Sequence, residues 1–288
     1  MTTPEFHSTQ VNSGMRPRAS GSGLRARCGG DGQAGTRPTR GARSPEYHLP
    51  FVSGYSPLLD RALVVSAIVH RDQLRKGTRI PYVMHPVHVA LILAKHGFAD
   101  TVLAAAVLHD ALEDLRPGDA SLREVLRDTF PEAFGDAPDE PRRFVARFER
   151  FLDGEFGPDV MTLVRSVTDH TMTDGRPLPT REKRARKLAD LEGAGTPIET
   201  LALKAADATH NGRSLAALLQ ARGPDVLAAF RTSPAETHEW LAAVQRVVSP
   251  RLAASHPGLV EDLSHAVAAL GDALRSRDRA ATARKRRQ

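Results

Sequence analysis

Cysteine, aromatic residues and long apolar runs are all scarce in this sequence. The single cysteine, Cys28, excludes an internal disulfide and is consistent with a reducing compartment. No run of 18 apolar residues is present, so we expect no membrane span. The N-terminus also lacks the apolar segment of a secretory signal. These absences lead us to expect a cytoplasmic protein.

The shortage of aromatic residues also constrains the fold. Aromatic residues make up 5% of the chain, so a core must be built mainly from Leu, Val and Ala. That composition favours helices. From Pro57 onward apolar residues recur at helical spacing, and no stretch alternates as a strand would. We therefore predict an all-α fold, a helical bundle in a single domain.

The net positive charge comes from the two ends of the chain. Of the formal net charge of +6, residues 1–50 contribute +4 and residues 275–288 contribute +6, which leaves residues 51–274 mildly acidic. We predict disordered basic tails at 1–50 and 275–288 around a folded domain at 51–274. A basic tail could contact nucleic acid or an anionic membrane, but we favour solvated tails without such a partner. Nothing in the pattern predicts an oligomeric state.

The stretch Thr101–Asp114 joins an apolar segment to a group of ionisable residues. Its first eight residues are almost all apolar, which predicts a helix buried on every side. The ionisable residues that follow are His109, Asp110, Glu113 and Asp114. On a helix continuing over residues 101–115 they would form one polar wedge. Because unpaired buried carboxylates are costly, we expect a bound cation at this point.

Other parts of the chain contain further candidate metal ligands. His85 precedes Pro86 at a predicted helix start, and Asp207 lies in a predicted helix with Asn211 four residues later. Imidazole suits transition metals, and carboxylate suits Mn²⁺ and Mg²⁺. The candidate ligands for a divalent ion are therefore His85, His109, Asp110 and Asp207.

In this order, the motifs resemble those of the HD-domain phosphohydrolase superfamily, and more narrowly the hydrolase domain of the RelA/SpoT alarmone enzymes. The matching segments are His70–Lys76, Pro81–Pro86, Leu108–Asp114, Phe156-Gly157, Leu163–Thr168 and Lys204–Asn211. They span about residues 57–220 and depart from the family pattern at Val69, at Asp72 and over residues 131–155. No synthetase domain is expected after the match, so the resemblance is to the small stand-alone alarmone hydrolases.

The resemblance implies a cofactor and a substrate. It implies Mn²⁺ held by His85, His109, Asp110 and Asp207. The implied substrate is ppGpp, a small-molecule nucleotide that carries a diphosphate on its 3′ oxygen, which is removed as pyrophosphate. The HD motif leaves open another nucleotide, such as NADPH or an adenosine-type alarmone. A further alternative is a non-catalytic nucleotide-binding module.

The resemblance also suggests roles for the remaining polar residues. Glu113 and Asp114 are not needed as ligands and are predicted to be the acid/base pair, in either order. Arg75 and Lys76 supply positive charge for the substrate phosphates or base, and Asn211 is predicted to hydrogen-bond the sugar or phosphate. Weaker candidates for the pocket wall are His70, Tyr82 and Ser214. His170 and His210 are interpreted as structural or surface residues.

Overall fold

The computed structural model describes residues 56–285, apart from residues 138–139, 170–171, 174–175 and 223–232. The predicted N-terminal tail at 1–50 therefore lies outside the described residues, as does the end of the predicted C-terminal tail at 286–288.

The described residues are mainly helical, which confirms the predicted all-α class. The helices are α1 Pro57–Val69, α2 Met84–Lys95, α3 Asp100–Leu108, α4 Ala120–Thr129, α5 Pro131–Phe134, α6 Pro141–Val167, α7 Thr180–Glu192, α8 Ile198–Arg222, α9 Pro234–Leu252 and α10 Pro257–Lys285. Two two-residue strands, β1 Met172–Thr173 and β2 Arg176–Pro177, pair antiparallel.

Two helices form the centre of the bundle. Helix α3 is buried from Val102 to Leu108, as its uniformly apolar sequence predicts, and it packs against α1, α2 and α6. Helix α8 packs against α2, α9 and α10. Because α2 contacts both α3 and α8, residues at the start of α2, the end of α3 and the middle of α8 can meet in one place.

The shapes of the long helices α6 and α10 follow from local sequence features. Helix α6 consists of two arms, which are joined at Gly157 with φ 76° and ψ 172°. Glycine adopts that backbone readily, and Pro158 after it cannot donate a helical hydrogen bond. Helix α10 continues to Lys285, past the predicted domain boundary at residue 274, because the Arg, Ala and Lys residues of this segment favour helix.

An ion cluster centred on the buried Asp262 ties α10 to α2 and α8. Asp262 Oδ2 accepts a hydrogen bond from Lys95 Nζ at 2.7 Å and lies 2.9 Å from His96 Nε2. Asp262 Oδ1 accepts one from an Arg213 guanidinium nitrogen at 2.7 Å. Burial alone would raise the pKa of Asp262, but the hydrogen bonds from Lys95, His96 and Arg213 outweigh burial and lower the pKa below its usual value. The carboxylate is therefore stabilised in its charged form by folding.

We expect Asp262→Asn to lower the free energy of unfolding by about 2 kcal/mol near neutral pH, because charged hydrogen bonds are replaced by weaker or mismatched ones. A depressed pKa contributes stability that is present above the unfolded value of about 4 and is lost as the pH falls toward the folded value. The difference between wild type and variant should therefore shrink below about pH 4. Urea unfolding at neutral and acidic pH measures both effects. Equal stability of the two proteins at neutral pH would contradict the prediction.

None of the helices among the described residues combines the length and the apolarity that crossing a membrane requires.

Candidate metal centre

Three separate elements bring the four predicted ligands together. His85 lies in the first turn of α2, His109 and Asp110 directly follow α3, and Asp207 lies within α8. His85 Nε2 lies 3.2 Å from Asp207 Oδ1 and 3.6 Å from Asp110 Oδ2. His109 Nε2 lies 3.2 Å from Asp110 Oδ2. Donor atoms of His85, His109 and Asp207 all fall within 4.8 Å of one another, a spacing that a single ion could bridge.

The chain departs from the predicted helix just where this centre begins. Helix α3 ends at Leu108, so the prediction of one helix over residues 101–115, and of a polar wedge along it, is wrong. His109 Nδ1 donates to the carbonyl of Ala106 at 2.7 Å, and the N–H of Ala111 donates to the carbonyl of Leu108 at 2.8 Å. The imidazole thus occupies an acceptor that the next helical turn would have used.

The same hydrogen bond prepares His109 as a ligand. Because a carbonyl can only accept, a proton lies on Nδ1, and Nε2 carries a lone pair whenever the imidazole is neutral. That Nε2 is buried and makes no well-aligned hydrogen bond, although Asp110 Oδ2 lies 3.2 Å away. A buried nitrogen of this kind needs a partner, and a metal ion would be one. Two imidazole nitrogens with two carboxylates are a donor set that suits a divalent metal ion, so the residues present fit the cofactor.

The charges of the site also favour a cation. Burial lowers the pKa of His109, but Asp110 and Asp207 outweigh burial and raise it to about 9, so these carboxylates favour a positive charge at Nε2, either a proton or a metal ion that displaces it. Burial raises the pKa of Asp207, but Lys204 and His85 outweigh burial and lower it well below its usual range. Burial lowers the pKa of His85, which is therefore neutral at neutral pH. The two carboxylates remain charged and stabilise positive charge between them.

Neighbouring side chains hold the two carboxylates in place. Asp207 Oδ2 accepts a hydrogen bond from Lys204 Nζ at 2.9 Å, and Asp207 Oδ1 accepts one from Asn211 Nδ2 at 2.6 Å. Asp110 Oδ2 accepts a hydrogen bond from the Tyr82 hydroxyl at 2.8 Å. Such contacts orient ligand oxygens and limit their alternatives. Lys204 had no role assigned from the sequence, although its position three residues before Asp207 places both on one helix face.

The predicted acid/base residues border the centre but contact different parts of the chain. Glu113 Oε1 accepts a hydrogen bond from the backbone N–H of Asp169. Asp114 Oδ2 lies 3.6 Å from Nδ1 of His70. Burial raises the pKa of Glu113 to about 7, although the Asp169 N–H opposes that shift. Burial and the charge of Asp110 raise the pKa of Asp114 to about 6. Both groups can therefore exchange a proton near neutral pH.

The predicted substrate-binding residues Arg75, Lys76 and Asn211 lie close to the candidate metal site and to Asp114. A guanidinium nitrogen of Arg75 donates to Asn211 Oδ1 at 3.1 Å, which joins two of them directly. The Arg75 guanidinium also lies 5.6 Å from the centre of the Tyr82 ring. The charge of Lys76 acts to lower the pKa of Asp114. Positive charge is thus placed next to the ligands and to one of the two carboxyl groups.

One half-buried histidine has a contact that the sequence did not reveal. His210, interpreted there as structural or surface, has its Nδ1 2.7 Å from Nδ1 of His85. Burial and the neighbouring His85 lower the pKa of His210 to about 3, so this imidazole is neutral at neutral pH. Its position three residues after Asp207, on the same face of α8, was the available signal. His170 lies outside the described residues.

Known proteins show similarity to this chain over the same region. A family model described as "HD domain" matches residues 62–136. A GTP pyrophosphokinase of Myxococcus xanthus is 31% identical over 179 residues, which are 60% of this chain and 20% of that protein. The guanosine-3′,5′-bis(diphosphate) 3′-pyrophosphohydrolase MESH1 of Drosophila melanogaster is 32% identical over 157 residues, which are 53% of this chain and 66% of that protein. The chain thus spans a fifth of the first relative and about two thirds of the second.

A solved structure shares the fold. It is described as a metazoan ortholog of SpoT that hydrolyses ppGpp and plays a role in starvation responses, and it aligns with a TM-score of 0.51 at 23% identity. The alignment covers 75% of this chain and 96% of that one. At this identity the match supports the helical architecture.

Fold and site together define a helical domain with a candidate metal site. The stretch that matches the HD domain contains three of the four predicted ligands: His85, His109 and Asp110. This chain belongs to the HD-domain superfamily, and its sequence relatives assign it to the RelA/SpoT-type branch, which confirms the family predicted from the motifs.

Proposed function

We propose that this protein is a metal-dependent phosphohydrolase that converts ppGpp into GDP and pyrophosphate, with Mn²⁺ as its cofactor. The observation that carries the proposal is the meeting of His85, His109, Asp110 and Asp207 beside two carboxyl groups that have raised pKa values. The first four side chains would hold the ion. When bound, it would lower the pKa of water and polarise a phosphoryl oxygen.

The chain's own residues then supply the proton transfers. Hydrolysis needs a group that removes a proton from the attacking water and one that protonates the leaving oxygen. Glu113 and Asp114 are proposed for these two roles. Their environments differ, because Glu113 is bound by a backbone N–H and Asp114 faces Lys76 and His70. Two carboxyl groups in unlike surroundings can divide acid and base work between them.

Arg75, Lys76 and Asn211 are proposed to bind the substrate. A guanidinium group pairs with phosphate through two parallel hydrogen bonds, and an ammonium group acts as a point charge. Arg75 and Asn211 form a hydrogen-bonded pair next to Asp207, so a phosphate bound there would lie beside the metal ligands. The 3′-pyrophosphohydrolase name of MESH1 supports the choice of ppGpp. Other relatives are named pyrophosphokinases, so synthesis is tested as a separate outcome.

The test is incubation of the full chain with a nucleotide panel in the presence of Mn²⁺, followed by separation of the products. The panel contains ppGpp, NADPH and an adenosine-type alarmone, and a parallel reaction offers ATP with GDP or GTP to detect synthesis. We expect GDP and pyrophosphate from ppGpp, and loss of that activity after treatment with a chelator. Hydrolysis of NADPH or the adenosine nucleotide alone would change the substrate. No phosphate or pyrophosphate from any nucleotide would contradict the enzymatic function.

A further inference from the structure

Two side chains, His210 and Ser214, extend a hydrogen-bonded row from His85 on the side opposite the carboxylates. His85 Nε2 faces Asp207 and Asp110, and His85 Nδ1 lies 2.7 Å from His210 Nδ1. His210 Nε2 in turn lies 3.2 Å from the Ser214 hydroxyl. His85 is 2% exposed, so its Nδ1 has little access to water as an alternative partner. The direction of the hydrogen bonds along the row is therefore coupled to which nitrogen of His85 carries the proton.

Two proton arrangements satisfy every contact in this row. In the first, His85 donates from Nδ1 to His210 Nδ1, and His210 donates from Nε2 to Ser214 Oγ, which leaves His85 Nε2 with a lone pair. In the second, the Ser214 hydroxyl donates to His210 Nε2, His210 donates from Nδ1 to His85 Nδ1, and His85 donates from Nε2 to Asp207. Both arrangements keep each imidazole neutral and differ only in the direction of the hydrogen bonds.

The two arrangements differ in what they offer a cation. A metal ion binds a nitrogen lone pair, so only the first arrangement makes His85 Nε2 a ligand. Ligating histidines usually donate their other N–H to a carboxylate, a backbone carbonyl or water, which fixes the tautomer and the ring orientation. Here the acceptor is Nδ1 of a second imidazole, that of His210, whose Nε2 contacts the Ser214 hydroxyl.

We propose that His210 is a positioning residue that accepts the Nδ1 proton of His85 and so presents His85 Nε2 to the metal ion. This inference rests on the metal site of the proposed function and adds to it a residue that binds neither metal nor substrate. His88 stacks on the His210 ring, with centroids 4.9 Å apart and planes at 24°. That contact involves the ring face, so His88 takes no part in the proton row.

The test is the Mn²⁺ affinity of the full chain, measured by titration for wild type and variants, with thermal unfolding in chelator as a check on folding. Loss of the partner of a ligating histidine typically weakens metal binding about 10–100-fold, and we expect that loss for His210→Leu, which keeps bulk but has no acceptor. His210→Asn places an amide oxygen near the position of Nδ1 and should stay within about threefold of wild type. His88→Leu is the matched control, and its Mn²⁺ affinity should also stay within about threefold of wild type.

The remaining outcomes of the Mn²⁺ titrations either support or overturn the role of His210. A folded His210→Leu variant with wild-type Mn²⁺ affinity overturns the inference while leaving the proposed metal site intact. Failure of the wild-type chain to bind Mn²⁺ overturns the metal site and the inference together. Should the leucine variant not fold, His210→Asn is compared with His210→Gln, whose amide reaches the position of Nε2 instead. Tighter binding by the asparagine variant supports the inference, and equal affinity of the two overturns it.

Discussion

Replacing Glu113 with glutamine is expected to slow the hydrolysis of ppGpp by about 10²–10⁴-fold, which is roughly 3–5 kcal/mol of activation free energy. Glutamine keeps the size of the side chain, and its carbonyl can still accept the hydrogen bond from the N–H of Asp169. It cannot take up or release a proton. Because Glu113 lies outside the set of proposed ligands, the affinities for Mn²⁺ and for nucleotide should remain close to those of the wild type.

The measurement is turnover beside metal and nucleotide affinity on one preparation of each protein. Asp262→Asn is a suitable control, because it also removes a buried carboxylate but acts at the junction of α2, α8 and α10. It should retain its turnover at a temperature where it is folded. Near-normal turnover of the Glu113 variant would make Glu113 a structural residue. Loss of metal together with turnover would make it a ligand instead.

Replacing Asp110 with asparagine is expected to remove both metal binding and activity. Loss of a residue that merely supports a ligand costs about 10–100-fold in metal affinity, so loss of a direct, charged ligand should cost about 100-fold or more. The amide keeps the shape of the side chain and can still accept from the Tyr82 hydroxyl, which limits any structural change. Metal content of the purified variant, measured with its helical circular dichroism, tests this expectation.

Tyr82→Phe provides the graded comparison. It deletes the hydroxyl that donates to Asp110 Oδ2 and leaves the carboxylate itself in place. We expect an intermediate loss of Mn²⁺ affinity, up to about 100-fold, and retention of measurable turnover at high metal concentration.

Full metal retention by the Asp110 variant would remove Asp110 from the ligand set, since the group formed by His85, His109 and Asp207 would then be sufficient.

Local residue patterns were enough to predict the helical class and the residues that meet at the centre. The uniformly apolar segment before His109 predicted burial, and α3 is buried from Val102 to Leu108. Imidazole and carboxylate groups that follow or interrupt apolar helices carry a cost when buried, so their occurrence pointed to a shared partner. The sequence by itself therefore determined the composition of the candidate site: His85, His109, Asp110 and Asp207 converge as predicted, and their role as ligands stays a prediction.

Only the tertiary structure decided how those groups are oriented, because orientation depends on partners far apart in the chain. The end of α3 at Leu108 follows from a hydrogen bond of the His109 imidazole that competes with the next helical turn. The apolar periodicity of the sequence does not indicate this hydrogen bond. Glu113 and Asp114 have different surroundings because Asp169 and His70, their respective contacts, follow the ends of α6 and α1. His210 acquires its place behind His85 because α2 packs on α8, a contact between residues 125 positions apart. Spacing along the sequence indicates which side chains can share a helix face, whereas proton direction and ligand geometry are set by packing between helices.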